Sequence, residues 1–201
     1  MAYSDFKLEQ VIEQFSLRQI GGDLFKQVGE VAPSPWLVDT LSVAQRVGIQ
    51  SGTEKARSEF IVAPILLELV RQNPGHLSVY SGKSLDVDKQ LGLNGECDFL
   101  ISRSPGSRII QAPLVSVVEA KRQDLEVGLG QCSAQMLGAK RFNQQKQLEI
   151  DAIYGCVTTG DLWQFLKLED DCLTIEDRTY GLSAELGRIL GIFKFILDHY
   201  P

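Results

Sequence analysis

The pattern of apolar and polar positions predicts helices in the first third of the chain. Apolar side chains recur at helical spacing before the Gly21-Gly22 break and again after Ser34, a predicted N-cap followed by Pro35 at the first helical position. This second helix is expected to end near Gly48. A third helix is predicted over residues 53–72, where Pro64 removes a backbone donor and should kink or split it.

Beyond residue 76 the pattern changes to short apolar segments typical of strands, interrupted by one long helix. Strands are predicted at 77–80, 96–102, 113–121, 151–158, 162–168 and 172–176, with helices at 128–147 and after Ser183. This order predicts a mixed α/β fold with a central sheet flanked by helices. Residues 1–50 are interpreted as a helical extension packed on a core domain of residues 51–201.

The composition fits a globular chain without covalent or metal staples. Of 201 residues, 44% are hydrophobic and 23% are charged, which is enough apolar material to bury a substantial core. The four cysteines show no CxxC spacing and no neighbouring histidine, so neither a zinc site nor a disulfide framework is expected. The chain has no apolar run of membrane-spanning length, and its first residues do not resemble a signal peptide. We therefore expect a cytoplasmic protein that does not bind membranes.

The charge distribution is uneven along the chain. The formal net charge is −6, which argues mildly against a protein that coats nucleic acid. Residues 103–146 nevertheless carry seven basic and three acidic side chains, a local charge of +4 that leaves −10 elsewhere. Such a segment could present a phosphate-binding face, although an ordinary solvated helix face is the simpler explanation of charge alone.

Two predicted strands carry charged residues where apolar ones are expected. Asp98 lies within the strand at 96–102, and Glu119 and Lys121 end the strand at 113–121. Residues two apart in a strand project from the same face, so Glu119 and Lys121 should lie together. Burying both charges is costly unless something compensates them, and a divalent cation with a phosphate would do so. A plain ion pair at a sheet edge is the alternative interpretation.

Asp98, followed by Glu119-Ala120-Lys121 after the apolar run of residues 114–118, resembles the PD-(D/E)xK nuclease superfamily. This superfamily includes restriction endonucleases, RecB-like exonucleases and type I restriction motor subunits. The resemblance covers roughly residues 53–158 and departs from the family pattern at Cys97, where proline is common. It implies a restriction-endonuclease-like core that uses Mg²⁺ (or Mn²⁺) to hydrolyse phosphodiester bonds of DNA.

The resemblance also implies roles for individual residues. Asp98 and Glu119 would bind the metal, with Glu59 from the preceding helix as a third ligand and Glu54 and Glu68 as weaker alternatives. The carbonyl oxygen of residue 118 or 120 could add a further ligand. Hard oxygen donors of this kind suit magnesium, which keeps several of its waters.

Lys121 would orient or deprotonate the attacking water or stabilise developing charge, and Gln131 would contact phosphate or hold Lys121 in place. Gln135 lies one helical turn after Gln131, at a position where related families often have tyrosine. The expected nucleic-acid contacts are Arg122, Gln135, Lys140 and Arg141.

Other functions remain open at this point. A nuclease fold that serves only as a binding or assembly module would suit the acidic net charge. A hydrolase with Cys97 or Cys132 as nucleophile lacks an evident base, because neither histidine lies in a motif. A homodimer would supply two sites for cutting both DNA strands, but no sequence feature encodes it.

Overall fold

A computed structural model describes residues 1–200 and shows one mixed sheet of eight strands. The strands are β1 (Arg18–Gly22), β2 (Ser78–Ser84), β3 (Glu96–Ser102), β4 (Leu114–Ala120), β5 (Ala152–Thr158), β6 (Leu162–Glu169), β7 (Cys172–Glu176) and β8 (Tyr180–Gly181). The helices are α1 (Leu8–Phe15), α2 (Pro35–Ser51), α3 (Glu54–Arg57), α4 (Ala63–Gln72), α5 (Leu125–Gln145) and α6 (Leu182–Asp198). The predicted α/β class, a mixed sheet flanked by helices, is confirmed.

The strand order across the sheet is β1-β7-β6-β5-β4-β3-β2, and the short β8 pairs with β6. β1 runs parallel to β7 and β4 parallel to β5, whereas the other pairs are antiparallel. Because β5 and β7 both run antiparallel to β6, the strands β1, β4, β5 and β7 share one direction. Their C-terminal ends therefore meet at one edge of the sheet, which we call the carboxyl edge.

Each face of the sheet carries its own hydrophobic core. On one face α2, α4 and α6 cover a core that includes the fully buried Trp163 and Phe193. On the other face the N-terminal segment, α1 and α5 cover a core that includes Leu100 and Met136. Burial of apolar side chains on both faces supplies most of the favourable free energy of such a sandwich.

The N-terminal region is more than a helical extension. Residues 18–22 form the edge strand β1, and Phe25 and Leu37 share one core with Ile61. The predicted boundary at residue 50 therefore does not separate two cores. The sequence of β1 shows no alternating pattern, and its glycine pair is typical of a helix break, so pairing with β7 rather than local preference creates this strand.

The helix predicted at 53–72 is divided in the structure. A π-helical turn (Ser58–Val62) separates α3 from α4, and the amide of Ala63 donates to the carbonyl of Ser58, five residues earlier. Pro64 follows at the start of α4. A proline displaces the carbonyl four residues before it, and the widened turn accommodates that displacement. The predicted effect of Pro64 on this helix is thus confirmed.

Among the described residues, 1–200, no helix combines the length and the apolar character that crossing a bilayer requires.

Candidate active site

Glu119 and Lys121 lie together at the carboxyl end of β4, facing α5. The carboxylate of Glu119 is 1% exposed, and its Oε1 accepts a hydrogen bond from Lys121 Nζ at 2.6 Å. Its Oε2 accepts from Gln135 Nε2 at 2.8 Å. Both oxygens are therefore engaged, as a buried carboxylate requires.

Lys121 is held by groups from three elements. Its Nζ also donates to Gln131 Oε1 of α5 at 3.1 Å and lies 4.0 Å from Glu54 Oε1 of α3. Its backbone amide donates to the carbonyl of Thr158 at the end of β5. Gly128 of α5 has no side chain, and a Cβ there would lie 3.0 Å from Lys121 Cγ, so this glycine gives the lysine stem room to pass.

Asp98 reaches the same place from the start of β3. Its Oδ2 accepts a hydrogen bond from the amide of Ala120 at 2.8 Å, which ties the carboxylate to β4 directly beside Glu119. The ladder between β2 and β3 is interrupted opposite Asp98, where Gly82 adopts φ +62°. Glycine adopts a positive φ readily, so Gly82 permits this interruption. As a result, Asp98 lies outside the regular pairing of β2 with β3.

Burial and neighbouring charges shift the pKa values of Asp98, Glu119 and Lys121, and these two influences partly oppose each other. Burial raises the pKa of Glu119 to about 7, the Asp98 charge adds to the rise, and Lys121 opposes it. Burial also raises the pKa of Asp98, against the hydrogen bond from Ala120. Burial alone would lower the pKa of Lys121, but the charge and hydrogen bond of Glu119, together with the charges of Glu54 and Asp98, hold that pKa above its usual value. Perturbed groups of this kind concentrate at functional sites.

An open cleft of about 330 Å³ leads to Asp98 from solvent. The residues that line it come from α3, the π-helical turn, β2 and β3: Glu54, Lys55, Ser58, Glu59, Ser81, Gly82, Glu96 and Asp98. Four of these eight are acids and one is a lysine. The cleft therefore favours cations and disfavours a phosphate that arrives alone.

The two candidate acids of the preceding helical segment occupy different positions. Glu54 lies near Lys121, and its charge contributes to the raised pKa of Asp98. Glu59 also lines the cleft, but its Oε1 lies 3.8 Å from Nζ of Lys55. The helical acid that lies close to Lys121 is thus Glu54, whereas Glu59 was the preferred third ligand in the sequence-based prediction. Glu68 is buried elsewhere, where it accepts hydrogen bonds from Ser34.

Arg57 fixes α3 against the sheet. Its Nη1 donates to the carbonyl of Thr159 at 2.7 Å and to Asp161 Oδ2 at 3.0 Å, both in the turn that connects β5 to β6. This contact holds Glu54 of the same helix over the end of β4. No sequence motif marks Arg57 for this role.

The residues predicted to contact DNA do not form one surface. Gln135 is completely buried and donates to Glu119, so its position corrects the expected DNA contact to a role in orienting that carboxylate. Arg122 is exposed directly after Lys121. Lys140 and Arg141 lie at the other end of α5, roughly 15 Å from Gln131 at 1.5 Å per residue. They bond to the carbonyl of Asp170 and to Asp88 instead.

The cysteines do not form a nucleophilic site. Cys97 and Cys132 are fully buried, and burial raises the pKa of both thiols well above the usual value. A thiolate, the reactive form, is therefore disfavoured at both positions. Cys97, Cys132, Cys156 and Cys172 are all free thiols.

The donor set suits a hard cation, although the present conformation does not form a closed cage. No three His, Cys, Asp or Glu side chains within residues 1–200 converge closely enough to hold a metal ion. Mg²⁺ needs only one or two carboxylates and keeps water in its other positions. Two adjacent carboxylates with raised pKa values, the half-buried Asp98 and the buried Glu119, meet that chemical requirement.

Comparison of the chain with models of known protein families, with curated proteins and with solved structures gives no match.

Proposed function

We propose that this protein is a Mg²⁺-dependent nuclease that hydrolyses phosphodiester bonds of DNA, with a restriction-endonuclease-like core. The observation that carries the proposal is the partly buried cluster in which Lys121 contacts the buried Glu119 and Gln131, with Asp98 bonded to the adjacent backbone. Three successive elements of the chain, β3, the end of β4 and α5, supply an acid, an acid with a lysine, and an amide. An ordinary surface ion pair would have none of these buried supports.

Asp98 and Glu119 are the residues that would hold the metal, with Glu54 nearest to them on the helical side. A bound Mg²⁺ would supply Lewis-acid stabilisation of the phosphate and a more acidic water. Magnesium binding by Glu119 would compete with its bond to Lys121, and Gln131 is placed to keep the released ammonium nearby.

The side chains of the cluster have distinct tasks in this proposal. Lys121 places a positive charge beside the reacting phosphate and stabilises the charge that develops on its oxygens. Gln135 fixes the orientation of Glu119 from the buried side. Arg57 holds the helix that carries Glu54 and thereby keeps the cleft at its observed width.

The decisive experiment measures metal binding and DNA cleavage in parallel. We expect Mn²⁺ or Mg²⁺ to bind wild type in calorimetry and to support cleavage of linear and circular DNA. Asp98→Asn and Glu119→Gln should lose both, whereas Glu149→Gln, a change at an exposed acid far from the cleft, should retain both. Cleavage that persists equally in all variants would contradict the proposal.

The two helical acids provide a further test of the same site. Glu54→Gln should weaken metal binding and cleavage more than Glu59→Gln, since only Glu54 approaches Lys121. The two substitutions remove the same charge from one helical segment and so serve as matched controls for each other. A larger effect of Glu59→Gln would contradict the assignment of Glu54 as the helical acid of the site.

A binding module without catalysis is the second candidate function. It is favoured by the burial of Glu119, which is 1% exposed, and by the hydrogen bonds that both of its carboxylate oxygens accept from Lys121 and Gln135. Saturable metal binding that depends on Asp98 and Glu119 would argue against it.

A further inference from the structure

The sheet ends at one side in a strand whose outer edge is open. β1 pairs with β7 alone, and residues Arg18, Gln19, Ile20 and Gly21 are exposed. An open strand edge offers unpaired backbone donors and acceptors, which are the groups that another strand uses to extend a sheet.

The hydrogen bonds between β1 and β7 identify which backbone groups point outward. The amide of Arg18 donates to the carbonyl of Asp171, and the amide of Asp177 donates to the carbonyl of Gly22. In a parallel ladder the bonded residues alternate, so Arg18, Ile20 and Gly22 face β7. Gln19 and Gly21 therefore direct their N–H and C=O groups away from the sheet, and these groups have no hydrogen-bond partner within residues 1–200.

The outward-facing backbone groups of β1 in one copy can pair with the same groups of β1 in a second copy. Two copies of β1 arranged antiparallel about a two-fold axis at Ile20 place Gln19 of each copy opposite Gly21 of the other. Each of these two pairs exchanges two backbone hydrogen bonds, which gives four in total. Ile20 then faces its own symmetry mate across the axis, and its side chain, which is 38% exposed in one copy, gains an apolar partner.

The charges at the two ends of β1 also match in this arrangement. Arg18 is at the start of the strand, and Asp23 and Asp177 are at its end, where the carboxylate of Asp177 lies against Gly21. Antiparallel pairing brings Arg18 of each copy to the end of the strand that precedes Asp23 in the other, while Asp170 and Asp171 of the turn between β6 and β7 also lie near Arg18. Parallel pairing would instead bring like charges together and would not match the outward donors with acceptors about a two-fold axis.

We propose that the protein forms a homodimer through β1, joining two sheets into one continuous sheet of the two copies. The dimer does not depend on the nuclease proposal, because the candidate active site lies four strands away, on β4. With strands about 4.8 Å apart, the two sites would lie roughly 43 Å apart across the sheets and at opposite edges.

The oligomeric state of wild type and of edge variants tests the proposal, by sedimentation velocity over a range of protein concentrations. Gln19→Pro removes an outward N–H but no bond to β7, and it should weaken association by about tenfold or more. Ile20→Lys places two like charges at the axis and should give monomers. Ile109→Lys, the same change at a 70% exposed isoleucine on a distant loop, should leave the dimer intact.

A cross-link provides a positive test that does not depend on loss of association. Residues opposite each other at a non-hydrogen-bonded antiparallel pair have Cα atoms about 4.5 Å apart, which a disulfide can span. Ile20→Cys should therefore form a disulfide-linked dimer under mild oxidation, whereas Ile109→Cys and wild type should not. A wild-type protein that is monomeric at all concentrations, or a dimer indifferent to Gln19→Pro and Ile20→Lys, would overturn the proposal.

Discussion

Two places at the carboxyl edge carry the same short pattern, a buried glutamate followed two residues later by a base. One is Glu119-Ala120-Lys121 at the end of β4, and the other is Glu176-Asp177-Arg178 at the end of β7. Both glutamates are at most 1% exposed, and burial raises the pKa of each.

The partners of the two glutamates differ. Glu119 binds Lys121 and Gln135 and lies beside Asp98. Glu176 instead accepts hydrogen bonds from the amide of Leu24 at 2.6 Å and from the Tyr180 hydroxyl at 3.1 Å.

The bases that follow the two glutamates differ as well. Arg178 turns away to pair with Glu185 and lies over the Tyr180 ring. The same acid-x-base pattern thus forms a cluster of charged groups in one place and a structural anchor in the other. The surrounding side chains, not the pattern, decide which one results.

Replacing the basic residue of each pattern should give the largest difference in DNA cleavage between the two places. We expect Lys121→Met to lower metal-dependent DNA cleavage by about 100-fold or more, since it removes the charge beside the phosphate. Arg178→Met should leave cleavage unchanged, because Arg178 does not contact the cleft. Initial rates on labelled DNA measure both effects. Equal losses of DNA cleavage in the two variants would show that the two places do not differ in function.

Removing the structural glutamate should affect stability instead. Glu176→Ala leaves the Leu24 amide and the Tyr180 hydroxyl without an acceptor, which should lower the free energy of unfolding by about 2–4 kcal/mol. Glu176→Gln keeps an acceptor and serves as the control in urea denaturation. A loss below about 0.5 kcal/mol in Glu176→Ala would contradict the anchoring role.

The glutamines that bond to the two glutamates, Gln135 and Gln164, should give a smaller difference in DNA cleavage. Gln135→Leu should reduce cleavage by about tenfold and keep the fold, because it frees Glu119 to reorient. Gln164→Leu should not change cleavage, since Gln164 Nε2 donates to the backbone carbonyl of Glu176. Thermal unfolding of both variants would exclude a general loss of structure as the cause.

The pH dependence of stability gives the smallest expected effect. Because burial raises the folded-state pKa of Glu176, its contribution to stability is complete below the unfolded pKa, about 4.3. That contribution is lost as pH rises through the folded-state pKa. Urea denaturation at pH 4 and pH 8 should therefore show that wild type loses stability relative to Glu176→Gln as the pH rises. A difference that is independent of pH would contradict this assignment.

The sequence was sufficient for the elements that have a strong local signal. The apolar runs of β3, β4 and β5, the long α5 and the effect of Pro64 are all readable from spacing and residue type. The strand β1 was not, because its exposed residues and its glycine pair carry no pattern, and only β7 makes it a strand.

The candidate active site, like the fold, could be predicted from the sequence only where the signal is local. The neighbouring positions of Glu119 and Lys121 follow from alternation in one strand. The contact of Glu54 rather than Glu59 with Lys121, and the clamp made by Arg57, depend on how a helical segment lies on the sheet. Such long-range packing is not encoded in any short motif. The buried position of Gln135 likewise depends on which face of α5 meets the sheet.

The π-helical turn of residues 58–62 contains one residue more than an α-helical turn would need there. Deleting a single residue from it would restore regular winding and rotate the preceding segment by about 100° about its axis. Glu54 would then point away from Lys121, and Arg57 would lose Thr159 and Asp161 together. A one-residue deletion here would thus detach one wall of the cleft and would also shift Ile61 and Val62, which are buried in one of the two cores.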